Sequence, residues 1–219
     1  LLSCKEKSKA IEYKEKIVHV NDSTTSHTLF HKNGVFKAEG HKIDKIEVGD
    51  WKYYDSLGIH VQTTEFLNID DKPYTNQTWF FDDKKDTLEM GNHYQLTMND
   101  TIVENQLLRV MIFLKQPFFA YDTETFLLID NKNQTNKTFS NRHSVSWDTI
   151  RSLATTYPKN KDMQYRNQAF VFDIEPYLTG SKEFRSILVE KLEKKSDSVD
   201  FVTREIFIIK KYHVKSIRH

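Results

Sequence analysis

The sequence predicts a mainly β protein: an antiparallel β-meander followed by a β-sandwich, with one short helix. Three observations predict it. Rings are abundant, with 15 Phe, 10 Tyr and 3 Trp among 219 residues, so the chain has the apolar surface to fold. Four of the six glycines fall between residues 34 and 58, among short aromatic and β-branched runs. From about His93 the glycines nearly vanish and longer alternating runs take over.

The chain opens Leu1-Leu2-Ser3-Cys4, and its only Cys stands here. The tetrad resembles a bacterial lipobox, in which a small residue precedes the Cys that receives lipid. That resemblance implies diacylglycerol on Cys4; the alternative is a free terminal Cys. Residues 1–22 are then the anchor and a charged tether. Lys5, Lys7, Lys9, Lys14 and Lys16 interleave with Glu6, Glu12 and Glu15, and so polar a segment buries too little surface to fold alone. A short amphipathic helix over Ala10–Val18 is the competing reading. The charge after the Cys resembles export signals of surface lipoproteins in Bacteroidota.

Residues 23–95 read as hairpins. Leu29-Phe30-His31 runs into Asn33-Gly34, a strong hairpin signal, and Val35 to Glu39 returns. Trp51-Lys52-Tyr53-Tyr54-Asp55 meets Ser56-Leu57-Gly58, and Ile59 to Phe66 follows. The runs recur: Phe30 with Gly34 corresponds to Tyr54 with Gly58, and Trp51 to Asp55 is echoed by Trp79-Phe80-Phe81-Asp82. Spacings of roughly 24 to 28 residues mark stacked supersecondary units. Asn33-Gly34, Lys37, Glu39-Gly40, Gly49-Asp50-Trp51-Lys52-Tyr53-Tyr54-Asp55 and Gly58 together resemble MORN-type repeats, in the variant found in lipoproteins of Bacteroidota. The family implies a β-meander with a binding or scaffolding surface and no catalytic residues. The second echo has Lys84-Lys85 where the turn glycine would stand.

Trp51, Tyr53, Tyr54, Trp79, Phe80 and Phe81 are the candidate ligand-binding aromatics, a platform on which sugars would stack. Core packing is the favoured alternative for most of them. Strand alternation puts Trp51 and Tyr53 on one face and Lys52 and Tyr54 on the other.

Residues 96–219 read as the sandwich. Leu107–Leu114, Thr125–Ile129, Gln168–Ile174, Glu183–Leu192 and Phe201–Val214 are strand-like runs separated by polar loops. The last two read as adjacent antiparallel strands. Ser146-Trp147-Asp148 reads as the cap of a helix over Thr149–Thr156, ended by Pro158. Glu183 to Glu190 and Arg204-Glu205-Ile206-Phe207 resemble the immunoglobulin-like regions of unknown function that follow such repeats.

Charge and motif content narrow the chemistry. Lys plus Arg number 32 against 31 Asp plus Glu, which argues against a nucleic-acid binder working by bulk charge. One Cys excludes an intrachain disulfide or a cysteine-cage zinc site. The longest apolar run, Val110–Leu114, is far short of the about 20 residues of a spanning helix. No phosphate loop, dinucleotide turn, zinc-protease motif or nucleophile elbow occurs, and no cofactor or metal is expected. His27 and His31 on one strand would stand about 13 Å apart at ~3.3 Å per residue, too far for one ion. Asp70-Asp71 and Asp82-Asp83 read as solvated turn charges rather than calcium ligands.

Sequons stand at Asn21, Asn76, Asn99, Asn133 and Asn136. Asp-Ser/Thr triplets at Ser23, Ser56, Thr87, Thr101, Thr149 and Ser198 resemble O-glycosylation sites of Bacteroidota; each also reads as a turn signal. The leading expectation is a non-enzymatic outer-membrane lipoprotein of the cell envelope. Its partners would be the membrane, through the N-terminal lipid, and a protein or glycan. The rivals are an intracellular MORN-type or antitoxin-like interaction protein, and a hydrolase assembled from distant loops.

Overall fold

A computed structural model describes residues 14–119, 123–130, 132–153, 168–176, 178–193 and 201–217. The protein is mainly β, 66% strand. In chain order the first seven strands are β1 (Lys14–His19), β2 (Thr24–Phe30), β3 (Phe36–Ile43), β4 (Ile46–Tyr54), β5 (His60–Ile69), β6 (Lys72–Phe81) and β7 (Thr87–Thr97). Then come β8 (Thr101–Val103), β9 (Leu108–Gln116), β10 (Glu124–Ile129), β11 (Asp148–Arg151), β12 (Ala169–Ile174), β13 (Gly180–Glu193) and β14 (Phe201–Lys215). A 3-10 turn, Arg142–Ser144, precedes β11.

Strands β1 to β7 form an antiparallel meander, and β7 pairs on with β9 and β9 with β12, giving one nine-stranded sheet. Residues 95 and 96, where the sequence suggests a boundary, lie inside β7. The second sheet runs β11-β10-β13-β14-β8, with β8 parallel to β14. As the sequence suggests, β13 and β14 form a long antiparallel ladder, from Gly180↔Val214 to Glu193↔Phe201.

The repeat noted in the sequence is a repeat of turns. His31 N–H bonds Val35 O at 2.8 Å, Asp55 N–H bonds Ile59 O at 2.9 Å, and Asp82 N–H bonds Asp86 O at 3.0 Å. The fourth residue of each turn is left-handed: Gly34 at φ +84°, Gly58 at +84° and Lys85 at +70°. The third turn therefore closes without glycine. Its Asp82 carboxylate accepts Lys84 and Asp86 N–H, as Asp55 accepts Leu57 and Ile59 N–H. At the opposite ends of the strands, Asp44-Lys45 and Asp70-Asp71 form two-residue hairpin turns with φ +47°, +72°, +52° and +58°. The acidic pairs are turn residues.

Two layers form where the second sheet covers β7, β9 and β12. Leu108, Val110, Ile112 and Leu114 alternate inward along β9 and meet Leu127, Phe170, Phe184, Leu188, Ile206 and Ile208. The opposite face of the second sheet is buried too. Ile187, Val189 and Phe207 pack there on Phe139 and Ile69, with Leu67, Tyr74 and Trp147 at the margin. Burial of both faces accounts for the near-continuous apolar run in β13.

Two local expectations are corrected. Asp148–Arg151 is a strand paired with β10, not the first turn of a helix over Thr149–Thr156. Ile150 packs at the margin of the core while Thr149 and Arg151 face solvent, a period of two. Residues 154–156 lie outside the described residues. At the other end, Lys14–His19 is a strand of the sheet rather than helix or tether. Pairing with β2 supplies the backbone partners that its polar side chains do not.

Candidate functional site

The six aromatic candidates divide between two faces and do not form one platform. Trp51 shares a row with Thr64, Thr78 and Asn92, whereas Trp79 shares one with Lys52, Thr63 and Gly91. Trp51 is 2% exposed. Its ring lies across β3 over Gly40, and its Nε1 donates to His41 O at 3.1 Å. It is a core residue. Tyr53, Tyr54, Trp79, Phe80 and Phe81 are half-buried. His60 sits between Tyr54 and Phe81, at ring separations of 5.5 and 4.5 Å, and His93 lies 5.7 Å from Trp79. The Tyr54 hydroxyl donates to Glu39 Oε1 at 2.7 Å, and burial together with that carboxylate pushes it up to about 12.

A group of polar side chains gathers where the sheets meet, and sequence reasoning missed it. A bulge in β6 leaves Asn76 unpaired beside Gln77, so both amides reach the Glu65 carboxylate, at 2.7 and 2.8 Å. Asn76 also takes a strand's place at the edge of β14. It donates to Phe207 O and accepts from Phe207 N–H, both at 2.8 Å. A sequon Asn held at 0% exposure is closed to glycosylation in the folded chain. Arg204 ties the same seam, donating to Thr75 O and Asn76 O and to the Tyr74 hydroxyl.

Glu190, 0% exposed, receives Phe118 N–H at 2.7 Å, Phe119 N–H at 3.4 Å and Asn92 Nδ2 at 3.1 Å. Burial raises both Glu190 and Glu65 above the ordinary carboxylate range, outweighing these donors. The visible signal for Glu190 is a carboxylate ending the apolar run Ile187-Leu188-Val189. Both carboxylates are spent holding amides in place.

A cleft of about 450 Å³ lies between the sheets, at the end of the sandwich where β12 stops and β13 starts. Ile129, Ile150, Phe172, Ile174, Phe184 and Tyr212 supply apolar walls from both sheets. Asp130, Asp173, Glu175, Lys182, Glu183 and Arg185 supply the rim. Most of the rim is fixed. Asp130 accepts Gln134 and Thr135 N–H at 2.9 and 2.7 Å; with the Thr135 hydroxyl and Lys132 N–H these donors outweigh burial and hold it below its ordinary range. Asp173 is held bidentately by Arg109 at 2.9 Å, and Arg185 pairs with Glu183 and donates to Thr135 O at 2.7 Å. Lys182 and Glu175 have no ion pair among the described residues.

A second hollow, about 500 Å³, lies beside β1 over Ile17, His19, Thr25, His27 and Lys42. There Glu15 meets His27 Nδ1 at 2.6 Å. Among the described residues no three His, Cys, Asp or Glu side chains converge as metal ligands, and no helix is long and apolar enough to cross a membrane.

Apart from Asn76, the described modification candidates fall on the surface. Ser23, Ser56, Thr87, Thr101 and Thr149 are exposed, as are Asn21, Asn99, Asn133 and Asn136. Cys4 and Ser198 lie outside the described residues. Comparison with protein-family models, curated proteins and solved structures gives no significant match.

Proposed function

We propose that this chain is a non-catalytic binding protein of the cell envelope, tethered by lipid on Cys4, that takes an amphipathic ligand in the cleft between its two sheets. The cleft carries the reading. Its volume of about 450 Å³ falls within the roughly 300–1,000 Å³ usual for small-ligand sites. Both sheets line it with apolar side chains, and two charges of opposite sign at its rim have no ion pair among the described residues. An apolar group entering between Ile150, Ile174 and Phe184 loses its water contact, while a zwitterionic head meets Lys182 and Glu175. The half-buried Glu65 and the buried Glu190, the carboxylates a hydrolase would recruit, are engaged by amide donors away from this cleft. The envelope half of the proposal rests on Leu1-Leu2-Ser3-Cys4 and on the exposure of the five described Asp-Ser/Thr sites.

Calorimetric titration with monomeric dodecylphosphocholine tests the cleft. The expected result is one saturable site, weakened about tenfold, or 1.4 kcal/mol, by Lys182→Glu and more by Ile174→Asp. Unchanged affinity in both variants removes the cleft as the site. Palmitate labelling lost in Cys4→Ala tests the anchor.

A further inference from the structure

We propose that the outer edge of β1 is a homotypic interface, through which two copies join their nine-stranded sheets across a two-fold axis. Strand β1 pairs with β2 along one edge, and its other edge has no partner strand among the described residues. Ile17 and Val18 are about half exposed on it, at 51% and 49%. Unpaired edges are usually protected by charge, and Lys14 and Lys16 look at first like that protection. The geometry of self-pairing shows that they do not block it.

A two-fold that sets two edge strands antiparallel stands perpendicular to the sheet, so each face continues into the same face of the partner copy. Only residues of like parity then stand opposite each other. Two such registers use five residues of β1. One is centred on Lys16 and stacks that ammonium on its own copy, a like-charge contact that is destabilising. The other is centred on Ile17. It sets Ile17 against Ile17, Glu15 against His19, and Lys16 against Val18, with each cross pair made twice. Glu15 reaches His27 through Oε1, leaving Oε2 for the opposing imidazole. Apolar contact falls at the axis, hydrogen-bonding groups of complementary type flank it, and both lysine stems lie along valines. The strand is self-complementary in one register, which fits a second copy of this chain. The hollows beside β1 would then adjoin on one face of the joined sheet.

Sedimentation velocity of the full chain between about 5 and 200 µM tests the proposal. Wild type is expected to shift from monomer to dimer across that range. Val18 is exposed, so charge there tests the register and spares the fold. Val18→Glu sets a carboxylate against Lys16 twice per dimer and should tighten association several-fold. Val18→Lys makes two like-charge pairs and should weaken it at least tenfold. A purely protective edge charge would weaken both variants alike, and that outcome overturns the register. Monomer at every concentration, in wild type and Val18→Glu, overturns the interface. So does growth past dimer, which would mark a head-to-tail contact with the other sheet edge.

Discussion

Within one continuous sheet, β3 and β4 stay dry by a different means from β9. Along β9 every second side chain is buried because a second sheet lies over it, and Leu108, Val110, Ile112 and Leu114 are each at 0 or 1% exposure. Along β3 and β4 the fully buried residues are Ala38, Gly40 and Trp51. There the cover is the Trp51 ring, laid sideways over a neighbouring strand, with His27 and Lys42 at 6.3 and 5.6 Å. One layer of sheet buries a ring only where the adjacent strand has no side chain to displace. Gly40 supplies that space: a Cβ there would sit 2.3 Å from the ring carbon Cδ2 of Trp51. Burial by a facing sheet depends on many residues, whereas burial by a lateral ring depends on one glycine.

Cavity formation in the two-layer half should have the largest effect. Ile112→Ala removes a side chain enclosed from both sheets, and the expected loss is about 3 kcal/mol, read from urea unfolding. A loss below about 1 kcal/mol would mean that the sandwich is less tightly closed than its side-chain contacts indicate.

Gly40→Ala is the corresponding break in the single-layer half. The added methyl forces the indole off β3, at about 2 kcal/mol. Hydrogen exchange should show the damage in β2 to β4 and leave β9 and β12 protected. The contrast is Gly34→Ala, which meets nothing within 4 Å and is opposed only by its φ of +84°, at about 1 kcal/mol.

The smallest effect is one of pH. Glu190 titrates higher folded than unfolded, so the folded state holds its proton more tightly. Stability from this group is full below its ordinary value of 4.5 and is lost as pH rises through the raised one. Glu190→Gln should flatten the thermal midpoint against pH above about 4.5. Glu65, raised for the same reason, leaves a residual slope. An unchanged slope in Glu190→Gln would show that Glu190 is as ionised in the folded chain as in the unfolded one.

Features set by neighbours along the chain could be read from residue order. Asn33-Gly34 and Ser56-Leu57-Gly58 announce their turns because left-handed backbone favours glycine, and Leu107 to Leu114 announces β9 by its alternation. Asp82 to Asp86 kept the turn without the glycine: Lys85 takes the left-handed backbone itself, and the Asp82 carboxylate caps two N–H groups as Asp55 does in the glycine turn. The six aromatics were legible as strand residues on alternating faces. Which of them was core was not, because Trp51 is buried by the ring's path over Gly40 on another strand. Five of the six cleft walls were legible as strand residues, Ile150 reading instead as helix, and none was legible as a cleft, since they come from five strands.

Tertiary structure decided the identity of 148–151, the seam and the fate of Glu190. Asp148–Arg151 carries helix-start signals, yet the ladder with β10 and the burial of Ile150 outweigh a cap worth about 1 kcal/mol. Asn76 bonds Phe207, 131 residues away, so no local pattern could mark it as structural rather than as a sequon. Residue order fixes the pleat and the turns because both arise within a few bonds. Which face is dry, and which polar group must then find a partner inside, depends on surfaces brought together from distant parts of the chain.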